Sequence, residues 1–125
     1  MTGAVLDSGA LVGFERNDRR IVAIVRRAVE HGDSLVLPAA VVGQCWRDGR
    51  RQARLARLLG SLVCLVEPLD DTDARAAGQL LGVAGTADVV DATVAVVARR
   101  RGVGVVTSDA DDIHRLDAGI TLYPV

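Results

Sequence analysis

The segment Asp88-Val-Val-Asp91-Ala-Thr-Val-Ala-Val-Val-Ala98-Arg99-Arg-Arg-Gly102-Val103-Gly-Val-Val-Thr107-Ser-Asp109-Ala-Asp111-Asp112 reads as a helix followed by a strand and an acidic loop. Asp88 stands where a helix N-cap or first-turn carboxylate is favoured. Arg99, Arg100 and Arg101 fall in the last turn, and Gly102 suits the C-terminal cap. The residues between are small and aliphatic, so most faces of this helix are expected to be buried. Val103 to Val106 is a short β-branched run that suits a buried parallel strand.

In strand–helix–strand units the helices run antiparallel to the strands. The start of a helix then lies at the edge where the strands end. Asp88 and Asp91 are three apart and share a helix face near its start. Asp109 lies just past the end of the next strand. All three are expected at one crevice, the place where open α/β sheets bind ligands. Close carboxylates repel, and the remedies at neutral pH are a raised pKa or a bound cation. The simpler alternative is a capping Asp and an unrelated acidic loop.

Working outward, Val5-Leu6 is a short apolar strand that ends on Asp7, and Ser8-Gly9-Ala10-Leu11 turns into a helix. Asp7 is either a helix cap or a further site carboxylate, and the small residues after it allow close backbone approach. Asn17 or Asp18 caps a second helix with an apolar stripe of Ile21, Val22, Ile24, Val25, Ala28 and Val29, closed by His31-Gly32. Ser34 to Leu37 is a second strand, and Pro38 opens a third helix. That helix is expected to run on through Gln44, Cys45, Trp46, Arg47 and Asp48, with Gln44 and Asp48 on one face. Arg47, Arg50, Arg51, Arg54 and Arg57 continue at helical spacing beside Leu55, Leu58 and Leu59. This basic stripe is either a solvated face or a ridge that tracks phosphates. Trp46 either packs in a core or subunit interface or stacks on a nucleobase. Leu62 to Val66 is a third strand. Asp70, Asp71 and Asp73 read as caps and solvated charge at the start of the next helix, which Gly82 to Gly85 ends. Thr121 to Tyr123 is a final strand. Strands and helices alternate throughout, so the fold class is α/β with a mostly parallel central sheet and helices on both faces, in one domain over residues 1–125.

Composition narrows the chemistry. The chain has 125 residues, half of them hydrophobic, with one Phe, one Tyr and one Trp. The core must therefore be built from Val, Leu, Ala and Ile. No apolar run is long enough for a membrane span, no secretion signal is visible, and a cytoplasmic location is expected. Cys45 and Cys64 show no metal-binding spacing and are expected as free thiols. The net charge of -1 gives no global nucleic-acid signature. Every basic residue other than His is Arg. Mechanisms that need a catalytic lysine are excluded, which removes receiver domains and haloacid-dehalogenase-type phosphatases. Asp7, Asp88, Asp91 and Asp109 are thus expected at one sheet edge, and oxygen ligands without His or Cys select hard cations such as Mg²⁺ or Mn²⁺.

Val5-Leu-Asp7-Ser-Gly-Ala-Leu11, Asp91-Ala-Thr-Val-Ala-Val and Val106-Thr-Ser-Asp109 with Asp112 together resemble the PIN-domain nucleases, and within them the VapC toxins of toxin–antitoxin pairs. The resemblance runs from about Val5 to Leu116. It implies a PIN-like three-layer α/β/α sandwich, Mg²⁺- or Mn²⁺-dependent ribonuclease activity on structured RNA such as tRNA or rRNA loops, homodimers, and inhibition by a VapB-type antitoxin. By position, Asp7, Asp91 and Asp109 match three of the family's four acidic site residues, and Asp112 matches an accessory one. The fourth place, usually Glu, holds Gln44, with Asp48 or Asp88 as possible substitutes. Asp88, Asp112 and Gln44 are expected to orient waters or a second ion. An amide lends a neutral oxygen and carries no charge, so the alternative is a catalytically weakened PIN domain that binds RNA or a protein partner without cleavage.

Overall fold

The computed structural model of the protein describes residues 3–125. Its elements run β1 (Gly3–Leu6), α1 (Ser8–Glu15), α2 (Arg19–His31), β2 (Ser34–Pro38), α3 (Ala39–Cys45), α4 (Ala53–Leu59), β3 (Cys64–Glu67), α5 (Asp71–Ala84), α6 (Val89–Arg101), β4 (Gly104–Thr107), α7 (Ala110–Leu116) and β5 (Leu122–Pro124). The strands form one sheet in the order β3-β2-β1-β4-β5, and every pairing is parallel. The expected α/β class with its parallel sheet is the observed one.

Burial explains why the sequence settles this way. All four residues of β1 and all four of β4 are buried. Parallel strands covered on both faces need apolar side chains throughout. Val5, Leu6, Leu35, Leu37, Val105 and Val106 supply them, packed with Leu11, Val41, Val94, Val97 and Ile113 from the helices. Each such side chain contributes roughly 1.5–3 kcal/mol of burial energy. The helix α6 hides Ala92, Thr93, Val94, Ala95, Val97 and Ala98, as its small aliphatic sequence requires. Gly102 caps it in the left-handed conformation, φ 65°. No single helix among the described residues is long and apolar enough to cross a membrane; α5 and α6 pass such a test only as a pair bent by 113°.

Several expectations are corrected. The third helix does not run on through Asp48. It stops at Cys45, and a loop over residues 46–52 precedes α4. Side chains here outcompete the helix for backbone groups. Gln52 Oε1 accepts from the amides of Arg47 and Asp48 at 2.7 and 2.9 Å, and Asp48 Oδ1 accepts from the Arg50 amide at 3.0 Å. The five arginines therefore form no continuous ridge. Arg54 instead turns inward, donating to Phe14 O and Asn17 Oδ1 and lying 5.2 Å from the Phe14 ring centroid. Trp46 is not core: it is 37% exposed.

Asp73 departs as well. It is buried, not solvated, and accepts from Arg100 at 2.9 Å. Arg100 also reaches Glu67, as does Arg101, both at 2.5 Å. The arginines that close α6 thus tie it to the end of β3 and the start of α5. Arg99 makes a two-point pair with Asp117.

Candidate active site

The strand order reverses at β1. From there the chain builds outward to β2 and β3 on one side and to β4 and β5 on the other. The carboxyl ends of β1 and β4 therefore flank a topological switch point, where open α/β sheets leave a crevice. Asp7 follows β1 and Asp109 follows β4. The Asp7 amide donates to Val106 O at 3.1 Å, which locks the two strand ends together.

Asp7 is 1% exposed and is the N-cap of α1. Its Oδ1 accepts from the Ala10 amide at 2.8 Å. Oδ1 thus serves as the cap, while Oδ2 is buried with no hydrogen-bond partner. Burial raises the pKa of this carboxyl, and the charge of Asp109 adds to that. The Thr107 hydroxyl and the Ala10 and Ser108 amides pull the other way. The Thr107 hydroxyl makes its well-formed hydrogen bond elsewhere, accepting from the Asp109 amide at 2.8 Å. Thr107 thereby shapes the turn that presents Asp109.

Gly9 lets that turn come close. A Cβ placed there would run into Ser108 Oγ and lie 2.9 Å from Ser108 Cβ. The small-residue turn after Asp7 is therefore needed for close approach, as the sequence implied.

Asp88 is the N-cap of α6 and accepts from the Asp91 amide at 3.0 Å. Asp91, on the first turn, is only partly exposed. Its pKa is pushed up to about 7, first by burial and then by the charges of Asp88, Asp7, Asp112 and Asp109. Asp7 from the β1–α1 junction, Asp88 from the α5–α6 turn, and Asp109 and Asp112 from the β4–α7 junction thus all act on this one group. Asp109 occupies the N-cap position of α7 without using its side chain as a cap, which leaves its carboxylate unspent. Asp112 sits in the first turn of the same helix.

Gln44 also reaches this rim. Its Oε1 accepts from Ser8 Oγ at 2.7 Å, and Cys45 Sγ lies 3.7 Å from Ser8 O. Asp48 does not join them. It lies in the 46–52 loop and is spent on the Arg50 amide and a 4.0 Å contact with Arg51. Of the two substitutes weighed for a fourth acid, only Asp88 stands beside Asp91. Asp111 and His114 lie on exposed parts of α7 and Cys64 on β3. Burial raises the Cys64 thiol to about 11, which keeps it unreactive. Both cysteines are free.

The donor set suits a hard divalent cation. It is all oxygen, and it contains a buried carboxylate oxygen that nothing else satisfies. Among the described residues, no three His, Cys, Asp or Glu side chains close tightly enough to enclose an ion by themselves. The carboxylates at this edge repel one another, as the raised pKa of Asp91 reflects.

Comparison with known proteins settles the family. Residues 4–119 match the PIN domain. The chain belongs to the PIN-domain family. Solved structures share this PIN fold over almost the whole chain. VapBC2 from Rickettsia felis, bound to a DNA fragment from its promoter, superposes with a TM-score of 0.73 at 13% identity, covering 98% of each chain. VapC20 from Mycobacterium tuberculosis, a toxin that cleaves the sarcin–ricin loop, gives 0.68 at 18% identity over 94% of this chain and 96% of its own. FitAcB from Neisseria gonorrhoeae gives 0.65 at 17% identity over 96% of each. No protein of curated function matches this PIN domain in sequence.

The sequence motifs had named Asp7, Asp88, Asp91, Asp109, Asp112 and Gln44. They had not found Thr107 or Ser108 as shapers of the turn, nor Gln52, whose amide anchors the 46–52 loop. Thr107 ends a recognisable strand and was open to inference as the residue before an acidic turn. Gln52 carries no sequence signal, because its partners Glu15 and Cys45 are brought to it only by the fold.

Proposed function

We propose that this PIN domain is the toxin of a type II toxin–antitoxin pair and acts as a Mg²⁺- or Mn²⁺-dependent ribonuclease on structured RNA. One observation carries the reading: at the β1–β4 switch point burial and then the charges of four other aspartates push Asp91 up to about 7, beside a buried Asp7 oxygen that has no hydrogen-bond partner. A fold does not maintain such repulsion for its own stability, and perturbed carboxylates in a cleft mark chemistry. The overlap of fold with VapC20 and VapBC2 supports the toxin role with a VapB-type antitoxin as partner; a homodimer is the assembled form that this reading expects.

Asp7, Asp91 and Asp109 would hold the cation. When bound, it supplies positive charge to the phosphodiester and makes water more acidic. Asp7 would offer its unpartnered Oδ2 to the ion while its Oδ1 stays fixed by the Ala10 amide. Thr107 holds the Asp109 turn in place. Asp88 and Asp112, on the adjoining helix starts, accept hydrogen bonds from water at the rim. Gln44 is held by Ser8 and offers its remaining amide N–H groups to a phosphate oxygen or a water.

That same contact favours a second reading. The Gln44 carbonyl oxygen is already engaged by Ser8 and carries no charge, so this chain has a smaller charge with which to hold an ion. In that case the domain binds RNA or a protein partner without cutting.

Incubating tRNA and rRNA-loop substrates with Mg²⁺ or Mn²⁺, with chelator and Asp7→Asn controls, separates the two. The nuclease reading expects cleavage that chelator and the substitution abolish. Equal cleavage by wild type and variant would remove it. RNA binding with no cleavage would establish the second reading.

A further inference from the structure

The 46–52 loop starts at the acidic rim. Gln44 and Cys45 both touch Ser8, the residue after Asp7, and the next residue is Trp46. The indole edge rests on Gly49, where a Cβ would come within 3.0 Å of two ring carbons. The ring is 37% exposed, so it is held in place yet open to solvent. Gln52 fixes the loop beneath it. Its Nε2 donates to Glu15 at 2.7 Å and to Cys45 O at 2.9 Å, while its Oε1 takes the amides of Arg47 and Asp48. The same loop carries Arg47, Arg50 and Arg51, all exposed, and one amino group of the Arg47 guanidinium donates to Gly43 O and Trp46 O at 3.1 and 2.7 Å. Among the described residues no carboxylate pairs with Arg47 or Arg50, and Arg51 has only the loose contact with Asp48.

An exposed aromatic ring on a loop whose arginines carry charge that no close carboxylate cancels is the chemistry of a single-stranded nucleic-acid platform. The adjacent crevice strengthens the case. A polyanion entering a cluster of five carboxylates is repelled, and it needs compensating positive charge on its flank to stay there. Arginine provides that charge with the planar fork that fits phosphate. An apolar protein partner would have to bury these unpaired cations, which is costly.

We propose that the loop from Trp46 to Gln52 grips the RNA strand next to the bond that is cut, with Trp46 stacked on an unpaired base and Arg47 and Arg50 on the neighbouring phosphates. This deepens the ribonuclease reading and rests on RNA being the substrate. It assigns substrate positioning to a loop that carries none of the five aspartates of the crevice.

The chain has one tryptophan, so its fluorescence reports on this site alone. The test uses full-length protein carrying Asp91→Asn, so that a labelled single-stranded oligoribonucleotide stays intact during titration. The expected result is saturable quenching of tryptophan emission. Removing the ring with Trp46→Ala is expected to weaken binding about ten-fold or more, the usual worth of one stacked base, while Trp46→Phe retains most of it. The Arg47→Ala/Arg50→Ala pair should flatten the plot of log affinity against log salt by about 1.4, or ~0.7 per lost phosphate contact on a single strand. Arg27→Ala, on the distant helix α2, serves as the charge control and should change nothing. Normal RNA affinity with unchanged emission and an intact Trp46→Ala variant would overturn the proposal and leave the ribonuclease reading standing. Emission that ignores RNA but shifts on dilution would instead place Trp46 between protein subunits and also overturn it. Absence of both RNA binding here and RNA cleavage by the unsubstituted chain would remove the two together.

Discussion

Replacing Asp91 with asparagine is expected to make the metal-free protein more stable, and more so as the pH rises. In the folded chain this carboxyl keeps its proton up to about 7, against an ordinary value of 3.8. The folded state therefore binds more protons than the unfolded state between those two values, and stability falls as the pH climbs through that window. A difference of about 3 in pKa corresponds to ~4 kcal/mol for a carboxylate sealed from water. Asp91 is only partly buried, and solvent screening brings the figure to about 2 kcal/mol. Asparagine is nearly isosteric and never ionises. At about pH 8 in chelator the variant should melt higher by roughly 8 °C, taking ~4 °C per kcal/mol for a chain of this size. Near pH 4 the two proteins should melt together, because wild type is then protonated too. Thermal melts of both proteins across this range provide the assay. A variant no more stable than wild type at high pH, or one equally stabilised at every pH, would refute the reasoning that burial and neighbouring carboxylates hold the Asp91 proton.

Three other perturbations test separate parts of the structure. Gln44→Glu keeps the acceptor for Ser8 Oγ and restores a charge at the rim, so Mn²⁺ affinity should rise, by about ten-fold if one more carboxylate reaches the ion; calorimetry reads this directly. Gly9→Ala drives a methyl into Ser108 and should cost about 1–3 kcal/mol in urea unfolding, with Ser108→Gly in the same chain restoring most of it. Arg100→Ala strips the partner from buried Asp73 and one of two from Glu67, and should cost about 1–2 kcal/mol at neutral pH. The Glu67 pKa is held below its usual range by Arg101 and Arg100. Its stabilising share is therefore present above the ordinary Glu value and lost as the pH falls through the depressed one, so the cost of Arg100→Ala should shrink in acid.

The legible parts of the sequence were those where one local rule had no competitor. The stretch from Asp88 to Gly102 has a capping acid, a small apolar body, basic residues in the last turn and a glycine stop, and α6 follows that outline closely. The strands were legible from short β-branched runs, although β3 starts two residues later than its apolar run, at Cys64, leaving Leu62 fully exposed. The crevice was legible because parallel topology sends every strand end to one edge, so acids after β1 and β4 must meet.

Two parts were not legible for a definite reason. Helical spacing of arginines from Arg47 to Arg57 is a pattern of charge, and charge patterns do not reveal that Gln52 and Asp48 will take the amides a helix needs. Asp73 looked like any first-turn acid, and only the approach of α6 shows that it is buried against Arg100. In both cases the deciding partner lies elsewhere in space, beyond the reach of local pattern.

Calorimetric titration of Mn²⁺ into wild type and into Asp7→Asn, both without RNA, bears most directly on the claim that the aspartates of β1, α6 and α7 form one cation site. Saturable binding by wild type, lost in a variant that still folds and still caps α1, is the predicted outcome. Identical titrations for the two proteins would contradict it.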